Sequence, residues 1–385
     1  MTAKNLTPAF VLLICLLTTS CSKVIFEVYP IPEYTGTMTW KQVENDVSWT
    51  GRWDHASVVY QNKIWVLGGY NSGNRDQDSY FEDVWCSDDG KRWDLVNSSA
   101  PWLGRRGHAA VVFDDGSGEA MFLIGGFTVE EGSGSRQYCN DVWKSVDGNT
   151  WLEIKPNTQP GFGSENDWVP RFNHRCEVVN IEGKQVILLI AGATMEQNAP
   201  ANQGMNYLND VWSTENGITW KRLDSNDFGI RSEHSTSVDP VTKRIYLQGG
   251  TYGIHDAGET RTDKPVYQWQ ELWSSADGLK WTAENDELGF PQACLYRAQH
   301  QIIHYGDYLW GFPGKNSNSA SFSDNSDTYA IWKIDQYGTW SVDSDGPPFK
   351  PRYGYSLVVF MDQIWILGGY TTHRGPGNEI WAGQL

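Results

Sequence analysis

Arg52-Trp53-Asp54-His55 opens the stretch of sequence that decides the fold. The run Ala56 to Tyr60 follows, and then Ile64-Trp65-Val66-Leu67-Gly68-Gly69-Tyr70. After a spacer come Asp83-Val84-Trp85 and the segment Ser87 to Trp93, which has Asp89-Gly90 at its centre. Short runs of β-branched and aromatic residues are typical of strands, and Asp-Gly between such runs favours a two-residue hairpin. Residues 52–93 therefore predict four short strands, which we name a to d in chain order.

This unit recurs along the chain. Each copy ends in a Trp, and successive copies are 53, 58, 69, 61 and 59 residues apart at this position. The residues are Trp40, Trp93, Trp151, Trp220, Trp281 and Trp340. The first residue of the unit is Arg52, Arg105, Arg171, Arg231, Arg297 and Arg352. A repeat of this length indicates a propeller or an array in which each unit is one four-stranded blade.

The two ends of the chain are incomplete in complementary ways. The sixth copy stops at Leu385 without a fourth strand, and the segment Thr37 to Val43 precedes the first Arg-x-x-His as a strand without its own unit. Placing this strand in the last blade pairs its edges and closes the ring. We expect residues 37–385 to form one all-β domain, a six-bladed β-propeller closed by the N-terminal strand.

The residues resemble the kelch repeat family in the glycine pair after strand b and in the Trp on strand d. The resemblance covers about 37–385 and recurs six times. The hairpin Ser-x-Asp-Gly-x-x-Trp between strands c and d differs from most kelch repeats and is similar to a shortened Asp-box. Its Gly accepts a positive φ, and its Ser and Asp side chains bond the turn backbone, so we interpret these residues as structural.

The N-terminus predicts export. Lys4 precedes an apolar run from Ala9 to Leu17, which is too short to span a bilayer and suits a signal peptide. The segment Leu17-Thr18-Thr19-Ser20-Cys21 resembles a bacterial lipobox, which implies lipidation of Cys21 after removal of residues 1–20. Residues 21–36 then form a tether. The alternative is an ordinary signal peptide in which Cys21 has no special role.

The resemblance implies an exported, Gram-negative bacterial lipoprotein at the outer membrane, in the periplasm or at the cell surface. The formal charge of −17 argues against nucleic acid as a partner. The remaining cysteines are scattered without CxxC spacing, so no cysteine-based metal site and no cofactor are expected. Their pairing stays open for Cys86, Cys139, Cys176 and Cys294.

Loop lengths predict the functional face. The a–b and c–d turns are short, whereas the b–c and d–a loops vary, as in 193–209, 251–270 and 155–170. These variable loops lie together on one face, the top, and long loops on a rigid scaffold are where sites concentrate.

The candidate ligand residues on the top face are of two kinds. The repeated arginines form one, as six guanidinium groups that ring the channel mouth and attract carboxylate or sulfate; Arg in this place contributes to the ligand pocket of kelch domains that read acidic peptides. The alternative is that each Arg ties blades together through carbonyl groups and acidic loop residues. Loop aromatics form the other kind, since aromatic faces stack on sugar rings or pack their own loops. The selected aromatics are Trp102, Trp168, Tyr252 and Trp269.

The repeated histidines sit one per blade, with Tyr355 in the sixth place, and their recurrence favours packing and hydrogen bonding over metal binding. They are His55, His108, His174, His234 and His300.

Two functions remain open. Kelch propellers serve more often as platforms, which favours a binding module for a glycan or an acidic partner. The alternative is a carbohydrate-active enzyme, such as the sialic acid mutarotase that the family contains, which needs an acid/base pair and an Arg. Nothing in the spacing selects a catalytic residue among the top-face carboxylates. These are Asp167, Glu196, Glu259 and Asp263.

Overall fold

Every regular element that the structure describes is a β-strand. The computed structural model describes residues 37–44, 47–73, 78–129, 135–159, 165–195, 205–225, 227–252, 267–269, 271–284, 298–315, 330–344, 347–371 and 374–385. The predicted all-β class is confirmed. Within these ranges no helix has the length and apolar character needed to cross a membrane. The predicted signal peptide and tether, residues 1–36, lie outside the described residues.

The strands of the first three repeats form three antiparallel sheets in the order a-b-c-d. Sheet 1 consists of Ala56–Tyr60, Lys63–Leu67, Val84–Ser87 and Asp94–Asn97. Sheet 2 consists of Ala109–Asp114, Glu119–Val129, Arg136–Ser145 and Leu152–Lys155, with Arg105–Arg106 also paired to its strand b. Sheet 3 consists of Arg175–Ile181, Lys184–Thr194, Asn206–Thr214 and Lys221–Leu223.

The remaining repeats form three more sheets of the same order. Sheet 4 consists of Ser235–Val238, Ile245–Gln248, Leu272–Ser275 and Thr282–Ala283. Sheet 5 consists of Gln301–Tyr305, Tyr308–Phe312, Ile331–Asp335 and Trp340–Ser344. Sheet 6 consists of Ser356–Phe360, Gln363–Leu367 and Ile380–Gln384, and its outer strand is Thr39–Glu44. This outer strand pairs antiparallel with Ile380–Gln384, with Thr39 opposite Gln384.

Short strands continue several repeats beyond their glycine pairs. They are Tyr70–Ser72 with Asp78–Tyr80, Thr251–Tyr252 with Tyr267–Gln268, and Arg352–Tyr353 with Tyr370–Thr371 and Gly375–Pro376. The glycine pair causes the break, because both glycines adopt positive φ, at 58° and 105° for Gly68 and Gly69.

The sheets bury their faces against each other. Ile64 and Val66 of sheet 1 share a core with Trp365 and Leu367 of sheet 6, and each later sheet shares a core with the one before it. Strand b is buried on both faces, as its continuous apolar sequence predicts. Each fully buried Ile, Val or Leu contributes about 1.5–3 kcal/mol relative to an exposed one, so these shared cores hold neighbouring sheets together.

The c–d hairpins support this packing. The amide of Gly148 donates to Ser145 Oγ at 2.8 Å, and Asp147 Oδ1 accepts from the amides of Asn149 and Thr150 at 2.9 and 2.7 Å. Gly148, with a φ of +71°, lies directly against the indole of Trp65 in sheet 1. The hairpin residues are therefore structural contacts between neighbouring sheets.

A closed circle of backbone hydrogen bonds joins the starts of the six a strands. Its members are the third residues of the Arg-x-x-His motifs, and each amide donates to the carbonyl of the preceding member at 2.7–3.3 Å. They are Asp54, Gly107, Asn173, Glu233, Gln299 and Gly354, all with a φ of 51–62°. We call this circle the backbone ring. The positive φ turns each amide toward the neighbouring sheet, so the ring depends on a left-handed conformation that is uncommon for residues with a Cβ.

Candidate functional site

The repeated arginines lie inside the sheets and are held by fixed contacts. Arg105 is 2% exposed. Its guanidinium donates to both carboxylate oxygens of Asp141, at 2.7 and 2.9 Å, and to the carbonyl of Gly125 at 2.9 Å. Burial works against the charge of Arg105, but the nearby Asp141 carboxylate raises the pKa of Arg105 above its usual value. The pair is therefore ionised and immobile.

The other described arginines repeat this arrangement. Each is buried and pairs with the acidic residue two positions before the Trp of strand c. The pairs are Arg52 with Asp83, Arg171 with Asp210, Arg231 with Glu271, and Arg352 with Glu379. Each Arg therefore ties the strands of its own sheet, through a carbonyl after strand b and an acidic side chain, and does not tie neighbouring blades. The buried guanidinium groups also differ from the predicted exposed ring, because a repeated position meets the same sheet interior in every copy. Arg297 lies outside the described residues.

The predicted loop aromatics divide into two pairs. Trp102 and Trp168 are fully buried and form edge-to-face contacts with Trp151 and Trp220, at 5.9 and 5.6 Å between centroids. They are core residues, which differs from the prediction of a ligand-facing role. They were misread because a d–a segment returns over the core of its own sheet.

Tyr252 and Trp269 are partly exposed and stack on each other, with centroids 4.6 Å apart and planes 28° apart. The indole N–H of Trp269 donates to the carbonyl of Ile230 at 2.9 Å, and the Arg231 guanidinium lies 5.0 Å from the indole centroid. Burial lowers the pKa of Arg231 to about 9. This pair remains available to a ligand at the edge of sheet 4.

A second layer of side chains lies just beyond the glycine pairs. In each repeat the residue after the repeated Arg is paired across the strands with the residue that follows the glycine after strand b. In the first three repeats this second residue also pairs with a Tyr on the side of strand c. We call these the crown rows. They are Trp53, Tyr70 and Tyr80 for sheet 1; Arg106, Phe127 and Tyr138 for sheet 2; Phe172, Ala193 and Tyr207 for sheet 3; Ser232 and Thr251 for sheet 4; Ala298 and Lys315 for sheet 5; and Tyr353 and Tyr370 for sheet 6.

Aromatic rings connect the crown rows of sheets 6, 1, 2 and 3. Trp53 lies 5.7 Å from Tyr353 and 5.4 Å from Tyr70, and Tyr80 lies 5.8 Å from Phe127. Tyr138 and Phe172 continue the series at 5.1 and 5.9 Å from Phe127. The crown rows of sheets 4 and 5 carry small or polar residues instead, so the crown has an aromatic half and a polar half.

Arg106 projects into this aromatic half. Its guanidinium lies 4.9 Å from the Trp53 centroid and 5.0 Å from the Tyr70 centroid, and it forms an ion pair with Asp54 at 3.5 Å. Its side chain is 22% exposed, unlike Arg105 beside it. A guanidinium between aromatic faces keeps its charge while presenting N–H donors to a ligand.

Charged and amide groups lie on the axis at the level of the backbone ring. Gln299 Nε2 donates to Asp54 at 3.1 Å, Asn173 Nδ2 donates to Glu233 at 3.5 Å, and Thr251 Oγ1 donates to Glu233 at 3.3 Å. Burial raises the pKa of Asp54 to about 7; Arg106, Arg175 and Lys315 oppose this rise, and Glu233 adds to it. Asp54 therefore exchanges its proton near neutral pH.

Two cavities lie on the axis. One of about 30 Å³ is lined by the backbone ring together with Arg175 and the neighbouring histidines, and it has room for a single water molecule. The other, of about 460 Å³, extends along the a strands and is lined by Glu177, Thr236 and Ile303 among others. The residues of the backbone ring thus form the boundary between the crown and the channel.

All five repeated histidines are buried, and His55, His108, His174 and His234 are neutral. Burial lowers the pKa of His55 and of His108 to about 3, and that of His174 and His234 well below the usual value. His108 contacts the carbonyl of Leu67 at 3.1 Å and His55 contacts Ser356 at 2.8 Å. Among the described residues, no group of three or more His, Cys, Asp or Glu side chains is arranged to hold a metal ion.

Asp167 and three of the cysteines are the other predicted residues that the structure describes. Asp167 pairs with buried Lys155 at 3.1 Å and anchors its own loop. Glu196, Glu259 and Asp263 lie outside the described residues. The thiols of Cys86, Cys139 and Cys176 are free, and burial raises the pKa of each. Cys294 and Cys21 lie outside the described residues.

Sequence reasoning missed the crown rows and Asp54. One signal was available: the residue after each repeated Arg and the residue after the glycine vary between copies, whereas the Arg and the Gly that precede them repeat. That the two meet across the strands follows only from the register.

The repeated four-stranded sheets, shared cores and glycine pairs define a kelch-type β-propeller. The family model described as the Attractin/LZTR1 beta-propeller matches residues 88–375, and the chain belongs to this family. A solved structure titled "Structure of YjhT" is similar over 86% of this chain and 94% of its own, with a TM-score of 0.59 and 14% identity. At this identity the likeness concerns the fold alone.

Proposed function

We propose that this protein is an exported six-bladed propeller, anchored through a lipid on Cys21, that binds an acidic glycan on its crown. Six blades closed into a ring are supported by the core shared between sheets 6 and 1 and by the backbone ring. Replacing Cys21 with Ser tests the anchor. The variant is expected in the soluble fraction, and its continued recovery with membranes would contradict lipidation.

A glycan is favoured over an acidic peptide by the aromatic half of the crown. Sugar rings stack on aromatic faces through their C–H groups, while hydroxyls bond amides and carboxylates. Trp53, Tyr80 and Tyr353 are partly exposed there. Asn173 and Gln299 supply amide groups from the backbone ring. This combination suits ring-shaped, hydroxyl-rich ligands.

An acidic sugar is favoured by the charges. Arg106 and Lys315 lie in the crown rows, and Arg175 lines the axis below them. Asp54, with its pKa of about 7, takes up a proton readily when an anion approaches. The site therefore tolerates a carboxylate although the whole chain carries a formal charge of −17.

The exposure of Arg106 between Trp53 and Tyr70 is the single observation that carries this proposal. On an array of neutral, uronic and sialylated glycans, the protein is expected to bind acidic members. Arg106→Ala is expected to weaken binding at least tenfold, which corresponds to about 1.4 kcal/mol.

The matched control is Arg92→Ala, since Arg92 is 85% exposed on a c–d hairpin away from the crown. It is expected to bind like the wild type. Equal binding by both variants, or preference for neutral glycans, would contradict the proposal.

One observation favours the second candidate, a sialic acid mutarotase. A carboxyl group with a pKa near 7 beside a guanidinium is suited to moving a proton on a carboxylated sugar. NMR of freshly dissolved N-acetylneuraminate would report faster anomerisation, abolished in Asp54→Asn. Anomerisation at the uncatalysed rate with retained array binding would exclude the enzyme and leave the binding module.

A further inference from the structure

The aromatic half of the crown is longer than one sugar requires. Starting at Tyr370 it passes through Tyr353, Trp53, Tyr70, Tyr80, Phe127 and Tyr138 to Phe172, with neighbouring centroids 4.7–5.8 Å apart. One pyranose is about as large as one aromatic ring, so it covers only one or two members of this series. The series extends over four sheets.

The aromatic residues of this series differ in exposure and therefore in role. Tyr70, Phe127 and Phe172 are buried and support the others. Trp53, Tyr80, Tyr138, Tyr353 and Tyr370 are partly exposed. A partly exposed ring is thus available in each of sheets 6, 1 and 2, on consecutive rows.

The polar half gives the series a direction. Ser232 and Ala298 are small, and the ammonium of Lys315 lies 5.8 Å from the centroid of Tyr353, near the start of the series. Arg106 supplies a second cation further along, between sheets 1 and 2. Two cations on different rows of one aromatic series suit a ligand with repeated negative charges, because each row then offers a counter-charge of its own.

We propose that the crown binds an acidic oligosaccharide of several residues, laid along the rows from Tyr370 to Tyr138, and not a single acidic sugar. This inference rests on the proposed function and specifies its ligand. Each sugar that reaches a further row adds a stacking contact and, at two places, an ion pair. Affinity then grows with chain length until the rows are filled.

The test is a calorimetric titration of the full propeller with two series. One runs from galacturonate to hexagalacturonate, and the other from N-acetylneuraminate to its α2,8-linked oligomers. In at least one series, affinity is expected to rise tenfold or more between the monomer and the tetramer and then to level off.

Two variants localise the effect. Tyr138→Ala, at the far end of the rows, is expected to weaken the tetramer at least threefold and to leave the dimer unchanged. Tyr337→Ala is the control, because Tyr337 is 70% exposed in the c–d turn of sheet 5. Circular dichroism confirms that each variant is folded.

The outcomes separate the two proposals. A monomer that binds as tightly as the tetramer overturns the oligosaccharide inference and leaves the proposed function intact. A length dependence unaffected by Tyr138→Ala overturns the assignment to these rows. No binding in either series, together with a silent array, overturns both proposals.

Discussion

Arg105 and Arg106 are neighbours in the chain but belong to two different regions of the molecule. Arg105 belongs to the layer of buried, repeated arginines and their acidic partners, which we call the tying layer, and it is fixed there by Asp141. Arg106 lies in the crown rows, where it is partly exposed between Trp53 and Tyr70. The same residue type therefore has a structural role in one layer and a candidate binding role in the next.

The contrast between Arg105 and Arg106 shows how the positions of a repeat can be interpreted. A position filled identically in every copy meets the same environment in every sheet, and the tying arginines follow this pattern. A position that changes between copies and is partly exposed, such as Trp53, Arg106 and Tyr353, is free to differ because it borders solvent or a ligand. In this propeller the variable positions carry the candidate site.

The largest expected loss of stability comes from a substitution in the tying layer. Arg105→Met leaves the buried carboxylate of Asp141 without its partner, and the free energy of unfolding is expected to fall by about 3–5 kcal/mol. Arg106→Met at pH 6 is expected to lower it by about 1 kcal/mol or less, because Asp54 can take up a proton there. Urea denaturation measures both. Equal losses would remove the distinction between the two layers.

A second effect tests the packing of the hairpins. In Gly148→Ala the new Cβ lies 2.1 Å from Trp65 Cζ3 at a φ of +71°, so unfolding is expected to become easier by about 2–4 kcal/mol. Gly116→Ala is the control: its φ is +94°, but nothing lies within 4 Å of the new Cβ. Gly116→Ala is expected to lower the free energy of unfolding by about 1 kcal/mol, from backbone conformation alone. Thermal melts compare the two, and glycan binding is expected to survive in both.

A third effect uses pH to examine the crown. The pKa of Asp54 is raised from 3.8 to about 7 in the folded state, so its stabilising contribution is full below pH 4 and is lost as pH rises through 7. Asp54→Asn removes this dependence. Its unfolding free energy relative to wild type is expected to increase between pH 4 and pH 8 by on the order of 4 kcal/mol, since one pKa unit is worth about 1.4 kcal/mol.

The same titration affects the ligand. An anion raises the pKa of Asp54 further, so acidic glycans are expected to bind more tightly below pH 7, and Asp54→Asn is expected to bind them with little pH dependence. Calorimetry at pH 5.5 and 8 measures this. A wild-type affinity that rises with pH would show that Asp54 does not face the ligand.

The smallest expected effect concerns a single turn. Ser145→Ala removes the acceptor for the Gly148 amide, which costs about 1 kcal/mol. Binding is expected to be unchanged, because this hairpin lies at the opposite ends of the strands from the crown rows. A chemical denaturation curve and one glycan titration are sufficient, and a loss of affinity would contradict the division into two regions.

The strands and their order were predictable because they depend on local patterns. The run Ile64 to Leu67 is apolar on both faces, and Asp89-Gly90 fixes a hairpin wherever it stands between two such runs. The candidate site was less predictable. Trp102 and Trp168 were selected because they lie in loops, but a loop residue that returns over a core is buried.

The sequence by itself determined that the chain repeats one four-stranded unit and belongs among the β-propellers, since periodicity and turn chemistry act within a few residues. Only the tertiary structure decided which repeated residues are structural ties and which variable residues meet in the crown. Trp53, Tyr353 and Arg106 come from three different repeats, and they are brought together by the register between strands and the packing between sheets. Contacts of that range depend on geometry that no local pattern encodes.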